Sequence, residues 1–76
     1  MSGAKMQNAN FTNATLTGTN FQNANLTNAN MTGANLSGAN FHGATITGIT
    51  WSNTVCPNGT NSNIHNNTCV GQGGGL

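Results

Sequence analysis

The chain of 76 residues contains no Asp and no Glu, and Lys5 is its single Lys or Arg. The absence of side-chain carboxylates removes the usual acid–base catalysts and the oxygen ligands of a metal site. The two histidines, His42 and His65, have no obvious partner, so the chain reads as neither an enzyme nor a cofactor carrier. One lysine cannot neutralise a track of phosphates, and nucleic acid is excluded as a partner. No apolar run approaches the roughly 20 residues of a membrane-spanning helix. Met1 is followed by Ser-Gly-Ala-Lys instead of an apolar stretch, so no secretory leader is legible. A formal net charge of +1 also leaves little of the repulsion that keeps soluble proteins apart.

What the chain has in place of charge is a repeat. From Ala4 to Asn53 ten five-residue units follow one another without insertion: AKMQN, ANFTN, ATLTG, TNFQN, ANLTN, ANMTG, ANLSG, ANFHG, ATITG and ITWSN. The third position is always large and apolar: Met6, Phe11, Leu16, Phe21, Leu26, Met31, Leu36, Phe41, Ile46 and Trp51. The first is small in every unit except that of Ile49. Two residues apart in an extended segment, these side chains share a face, and the polar second position points away. The fifth position is only ever Asn or Gly, the residues that tolerate the positive φ of a type II turn. A period of five fits no helix, so the chain is expected to alternate short strands with corners and to wind into a solenoid.

Tandem Ala-Asn-Leu-x-x units resemble the pentapeptide-repeat family, and the resemblance covers residues 4–53. It implies an all-β fold, a right-handed four-sided β-solenoid with twenty residues per coil, here about two and a half coils. Residues twenty apart then stack. Phe21 falls on Phe41, Leu16 on Leu36, Met6 on Leu26 and Ile46, and Phe11 on Met31 and Trp51. Leu26, Met31, Leu36, Phe41 and Ile46 form the core columns. Second-position amides and hydroxyls stack as well, and ladders of hydrogen bonds between layers are expected there. The best-known activity of the family, protection of DNA gyrase by imitation of duplex DNA, needs a strongly negative surface. A chain without Asp or Glu cannot supply one.

Two and a half coils make a column only about 12 Å tall at the ~4.8 Å spacing of stacked strands. Solenoids hide their last layers under polar caps, yet only Met1, Ser2 and Gly3 precede the first unit. The first coil is therefore expected to present Met6, Phe11, Leu16 and Phe21 beside unpaired backbone, a template for another chain. With Trp51 at the far end, these residues form the expected assembly interface, and the expected partner is a copy of the same chain stacked along the axis.

The segment 54–76 is expected to be a loop-rich cap with a Gly-rich tail, following the repeat domain at 4–53. Pro57, Asn58-Gly59 and the Asn/Ser run are turn signals. Cys56 and Cys69 enclose a patternless span. Either they form a disulfide, which would constrain the loop by about 3 kcal/mol, or they join His65 and His42 in a metal site, a reading weakened by the lack of Cys-x-x-Cys spacing. The run Cys56-Pro57-Asn58-Gly59-Thr60-Asn61-Ser62-Asn63 is similar to the Cys-Pro-Asp-Gly-Thr-Asn-Ser-Asp endings of secreted bacterial members, which supports the disulfide and an extracellular or cell-surface location. Most Asn-x-Thr/Ser sequons arise from the repeat itself, whereas those at Asn58 and Asn66 lie in the cap. Gly73–Gly75 reads as a flexible tail or as a strap across a neighbouring subunit.

The expected function is a structural, self-assembling subunit that stacks end to end into an extracellular fibre or larger assembly. The alternative is a small capped dimeric module that offers Thr- and Asn-rich faces to a glycan, ice or protein surface.

Overall fold

In each pentad the structure, a computed structural model describing residues 2–76, turns a corner at the fourth and fifth positions. The first-position amide donates back to the third-position carbonyl of the preceding unit, as from Ala14 to Phe11 at 3.0 Å and from Ala29 to Leu26 at 2.9 Å. The fifth residue of these turns carries a positive φ in all ten pentads, from Asn53 at 50° to Gly43 at 74°. That conformation costs most residues 1–2 kcal/mol and is tolerated best by Gly and Asn. The restriction of the fifth position to two residue types thus has a backbone cause.

Successive corners bring residues twenty apart into register. Parallel pairing joins Lys5 to Asn25 and Asn25 to Thr45, Asn10 to Asn30 and Asn30 to Thr50, Thr15 to Asn35 and Asn35 to Val55, and Asn20 to Asn40. Layers therefore comprise residues 4–23, residues 24–43 and a third beginning at residue 44. Pairing runs past the last legible repeat, since Val55 bridges Asn35 and the Gly38 amide donates to Pro57 O at 2.9 Å.

The expectation of an all-β, four-sided β-solenoid is corrected by these same contacts. Among the described residues no strand and no sheet forms; pairing consists of isolated bridges, one residue per pentad, and the single regular element is a 3-10 helix at Ser62–His65. The cause is the length of the unit. Two of its five residues are spent in the corner, and the positive φ of the fifth leaves the extended region, so a ladder cannot grow beyond the second position. The fold is a stack of turns held by single bridges.

A second correction concerns the second-position asparagines. Their Oδ1 atoms accept from the fourth-position amide of their own pentad, as Asn25 does from Thr27 N–H at 3.1 Å and Asn30 from Thr32 N–H at 3.0 Å. Thr27 and Thr32 hydroxyls add bonds of 2.6 Å to the same oxygens. Asn10, Asn20, Asn35 and Asn40 close the corner in the same way. An Asn side chain reaches the amide two residues on without help from a neighbouring layer, so these groups brace corners, while backbone bonds join the layers.

Large apolar residues fill the axis of the stack. Phe21, Leu26, Met31 and Leu36 are fully buried and Phe41 nearly so, together with the second-layer alanines. Phe21 and Phe41 stack with ring centroids 4.7 Å apart and planes 18° apart. Phe11 meets Phe21 edge-on at 6.1 Å, and Trp51 meets Phe41 likewise at 6.2 Å, geometries that add to simple burial. The middle layer is the driest part of the molecule.

Candidate functional site

The two ends of the stack are built differently. Each second-position residue of the second layer turns both its N–H and its C=O toward the first. Asn25 donates to Ala4 O at 2.9 Å and accepts from Met6 N–H at 2.8 Å, while Asn30 donates to Ala9 O at 2.9 Å and accepts from Phe11 N–H at 2.8 Å. Lys5, Asn10, Thr15 and Asn20 hold the same positions in the first layer. Their backbone groups find no hydrogen-bond partner among the described residues. Ser2 and Gly3 run under one corner only, where the Gly3 amide and the Ser2 hydroxyl both donate to Gln22 O, at 2.8 and 3.1 Å.

The apolar residues at this end are only partly the expected ones. Met6 and Phe11 are half-buried against the core, but Leu16 is 8% exposed and Phe21 fully buried within the single chain. Trp51, the candidate from the far end, is also buried. Of the core columns, Leu26, Met31, Leu36 and Phe41 are enclosed, whereas Ile46, in the last layer, stays half-buried.

The C-terminal end is closed on two of its sides by the chain's own residues. Cys56 N–H donates to Thr60 O at 2.7 Å, and Ser62 N–H to Thr54 O at 2.7 Å. Thr54 occupies a first position without exposure; its hydroxyl donates to Met31 O at 2.7 Å and its amide to Ser62 Oγ at 3.0 Å. Every buried side-chain nitrogen and oxygen among the described residues has a partner, as a closed polar cap requires. Cys56 and Cys69 form a disulfide with Cα atoms 5.3 Å apart, both fully buried. Their sulfurs are thus not free as metal ligands. His65 Nε2 lies 3.1 Å from Thr60 Oγ1, and His42 is exposed.

The glycine tail neither hangs free nor reaches outward. Phe41 N–H donates to Gly74 O at 2.6 Å, so the tail fills the place above Phe41 that the next pentad would have taken. Asn58 clasps it twice, through its amide to Gln72 O at 3.0 Å and through Nδ2 to Gln72 Oε1 at 3.1 Å. Leu76 packs on the core. A Cβ at Gly74 would overlap Ala39 O and the Pro57 ring, so this close approach needs glycine. Extending the pentad frame five residues, to Thr54-Val55-Cys56-Pro57-Asn58, would have found Thr54 and Cys56 in inward positions. Nothing in the sequence pairs Gly74 with Phe41.

A stack of turns bridged once per five residues, with one end capped by its own chain, defines a structural repeat protein. The family model for pentapeptide repeats matches residues 1–33, 17–50 and 34–55, with eight copies. The chain belongs to the pentapeptide-repeat family. No curated protein and no solved structure matches it. Among the described residues no helix is long and apolar enough to cross a membrane.

Proposed function

We propose that the protein is an extracellular structural subunit that completes its fold by association with copies of itself through the open first layer. One observation carries the reading: the N–H and C=O groups of Lys5, Asn10, Thr15 and Asn20 face out of the stack without partners among the described residues, beside half-buried Met6 and Phe11. Unpaired edges of this kind recruit further chains, and a net charge of +1 does little to oppose it. The buried disulfide supports an oxidising, extracellular setting. Continued end-to-end growth into a fibre draws its support from the side of the third layer at Ile46 and Ile49, which are only half-buried.

A module that offers threonine faces to glycan or ice has less behind it. The hydroxyls of Thr12, Thr27 and Thr32 are already donated to asparagines of their own pentads, which leaves them only as acceptors. Sedimentation velocity and electron microscopy of the unreduced protein over a range of concentrations test the proposal. Reversible association that increases with concentration is expected; a single chain at every concentration would refute it.

A further inference from the structure

We infer that the partner at the open layer is a second copy of the chain in inverted orientation, first layer against first layer about a two-fold axis, forming a closed pair. This inference rests on the proposal that the first layer is an association surface. It adds how the surface is satisfied and why growth stops.

The direction of the backbone groups sets the orientation of the partner. Asn35 donates to Ala14 O at 2.9 Å and accepts from Leu16 N–H at 2.8 Å, and Asn40 donates to Thr19 O at 3.0 Å and accepts from Phe21 N–H at 2.7 Å. A second-position residue thus turns its donor and its acceptor the same way, toward the layer beneath. In the first layer Lys5, Asn10, Thr15 and Asn20 each present such a pair outward. A residue with both groups on one side can exchange two hydrogen bonds with a like residue in an antiparallel chain. Inverting a copy about an axis perpendicular to the stack reverses the chain direction on every side, so the sides meet antiparallel, with the Gln22 corner alone already covered by Ser2 and Gly3. The face is complementary to itself, which is the condition for an isologous contact.

Parallel stacking of the first layer onto another copy's last layer lacks this match. At the C-terminal end the upward-facing groups on two sides are already used: in the third layer Cys56 N–H by Thr60, Thr54 O by Ser62 and Asn58 N–H by Gln72, and in the second layer Phe41 N–H by Gly74. An incoming first layer would meet residues 59–76 there and keep half of its own edge unpaired. Charge selects among inverted registers. Lys5 opposite Lys5 would set like charges side by side, whereas Lys5 opposite Thr15, with Asn10 and Asn20 each facing their own counterparts, avoids it.

Mass measured against concentration tests the inference. The expected result is a rise from one chain of 7.7 kDa to a plateau at two chains. Growth beyond two chains overturns the inverted pair and leaves the association surface standing. A single chain at all concentrations overturns both. The variant Thr15→Pro removes a donor that has no partner among the described residues and puts a ring where the second copy would pair. It is expected to stay a single chain at concentrations where the parent is paired; pairing unchanged from the parent overturns the assignment of the face. Should that variant fold poorly, amide exchange in the unaltered protein decides the same point. The Lys5, Asn10, Thr15 and Asn20 amides are expected to slow on the order of tenfold or more on pairing, and exchange that ignores concentration overturns the inference.

Discussion

The first and third layers carry the same pentad and meet opposite fates. In the first, Met6 and Phe11 are half-buried, Leu16 and Phe21 are buried, and the second-position backbone groups have no partner among the described residues; at the C-terminal end Ile46 is half-buried, Trp51 and Cys56 are buried, and residues 59–76 roof two sides. A repeat therefore specifies how layers stack, and leaves to other segments the question of how the stack ends. The nonrepetitive segment with its disulfide roofs two sides of the C-terminal end; under the first layer no such roof forms among the described residues.

The largest effect that would sharpen this contrast lies in the aromatic column. Phe41→Ala, in the enclosed middle layer, is expected to cost about 3–5 kcal/mol in urea unfolding, and Phe11→Ala, at the open end, roughly half as much when measured on the single chain. Equal losses would break the distinction between the ends. Next is removal of the disulfide by Cys56→Ser with Cys69→Ser, expected to cost about 3 kcal/mol. It should also free the roofed sides of the C-terminal end, so species larger than two chains are expected in sedimentation. A double variant of unchanged stability and unchanged size would show that the bridge does not hold the roof.

Smaller effects probe the roof itself. Gly74→Ala places a methyl group against Ala39 O and Pro57 at a φ of 60°, and is expected to cost about 1–2 kcal/mol with faster exchange of the Phe41 amide. Gly71→Ala, whose added methyl meets nothing, should cost about 1 kcal/mol from its backbone alone. Thr15→Pro should be the mildest for the single chain, within about 0.5 kcal/mol, because its amide has no partner there among the described residues.

Much of this was legible because a strict period repeats each physical constraint ten times. The positive φ values at the fifth position, the twenty-residue register and the identity of the buried residues follow from Asn or Gly, from the spacing and from the apolar third position. The β class did not follow, because the pattern gives alternation without saying how much of each pentad the corner consumes. The asparagine ladders failed for a related reason: stacking within reach of a neighbour does not decide whether a side chain bonds to it or to its own backbone. The roof was least legible. Thr54 sits in the pentad frame but breaks its Ala preference, and the Gly74 contact with Phe41 joins residues 33 apart through backbone atoms that carry no residue-specific signal.

Residue-resolved amide hydrogen exchange of the unreduced protein at low and high concentration separates the unpaired first layer from the two roofed sides of the C-terminal end. The Lys5, Asn10, Thr15 and Asn20 amides are expected to exchange fast when dilute and slow when concentrated, while those of Phe41, Cys56 and Asn58 are protected at both. Protection of the first-layer amides in the dilute chain, or exposure of Phe41, Cys56 and Asn58, would contradict this expectation.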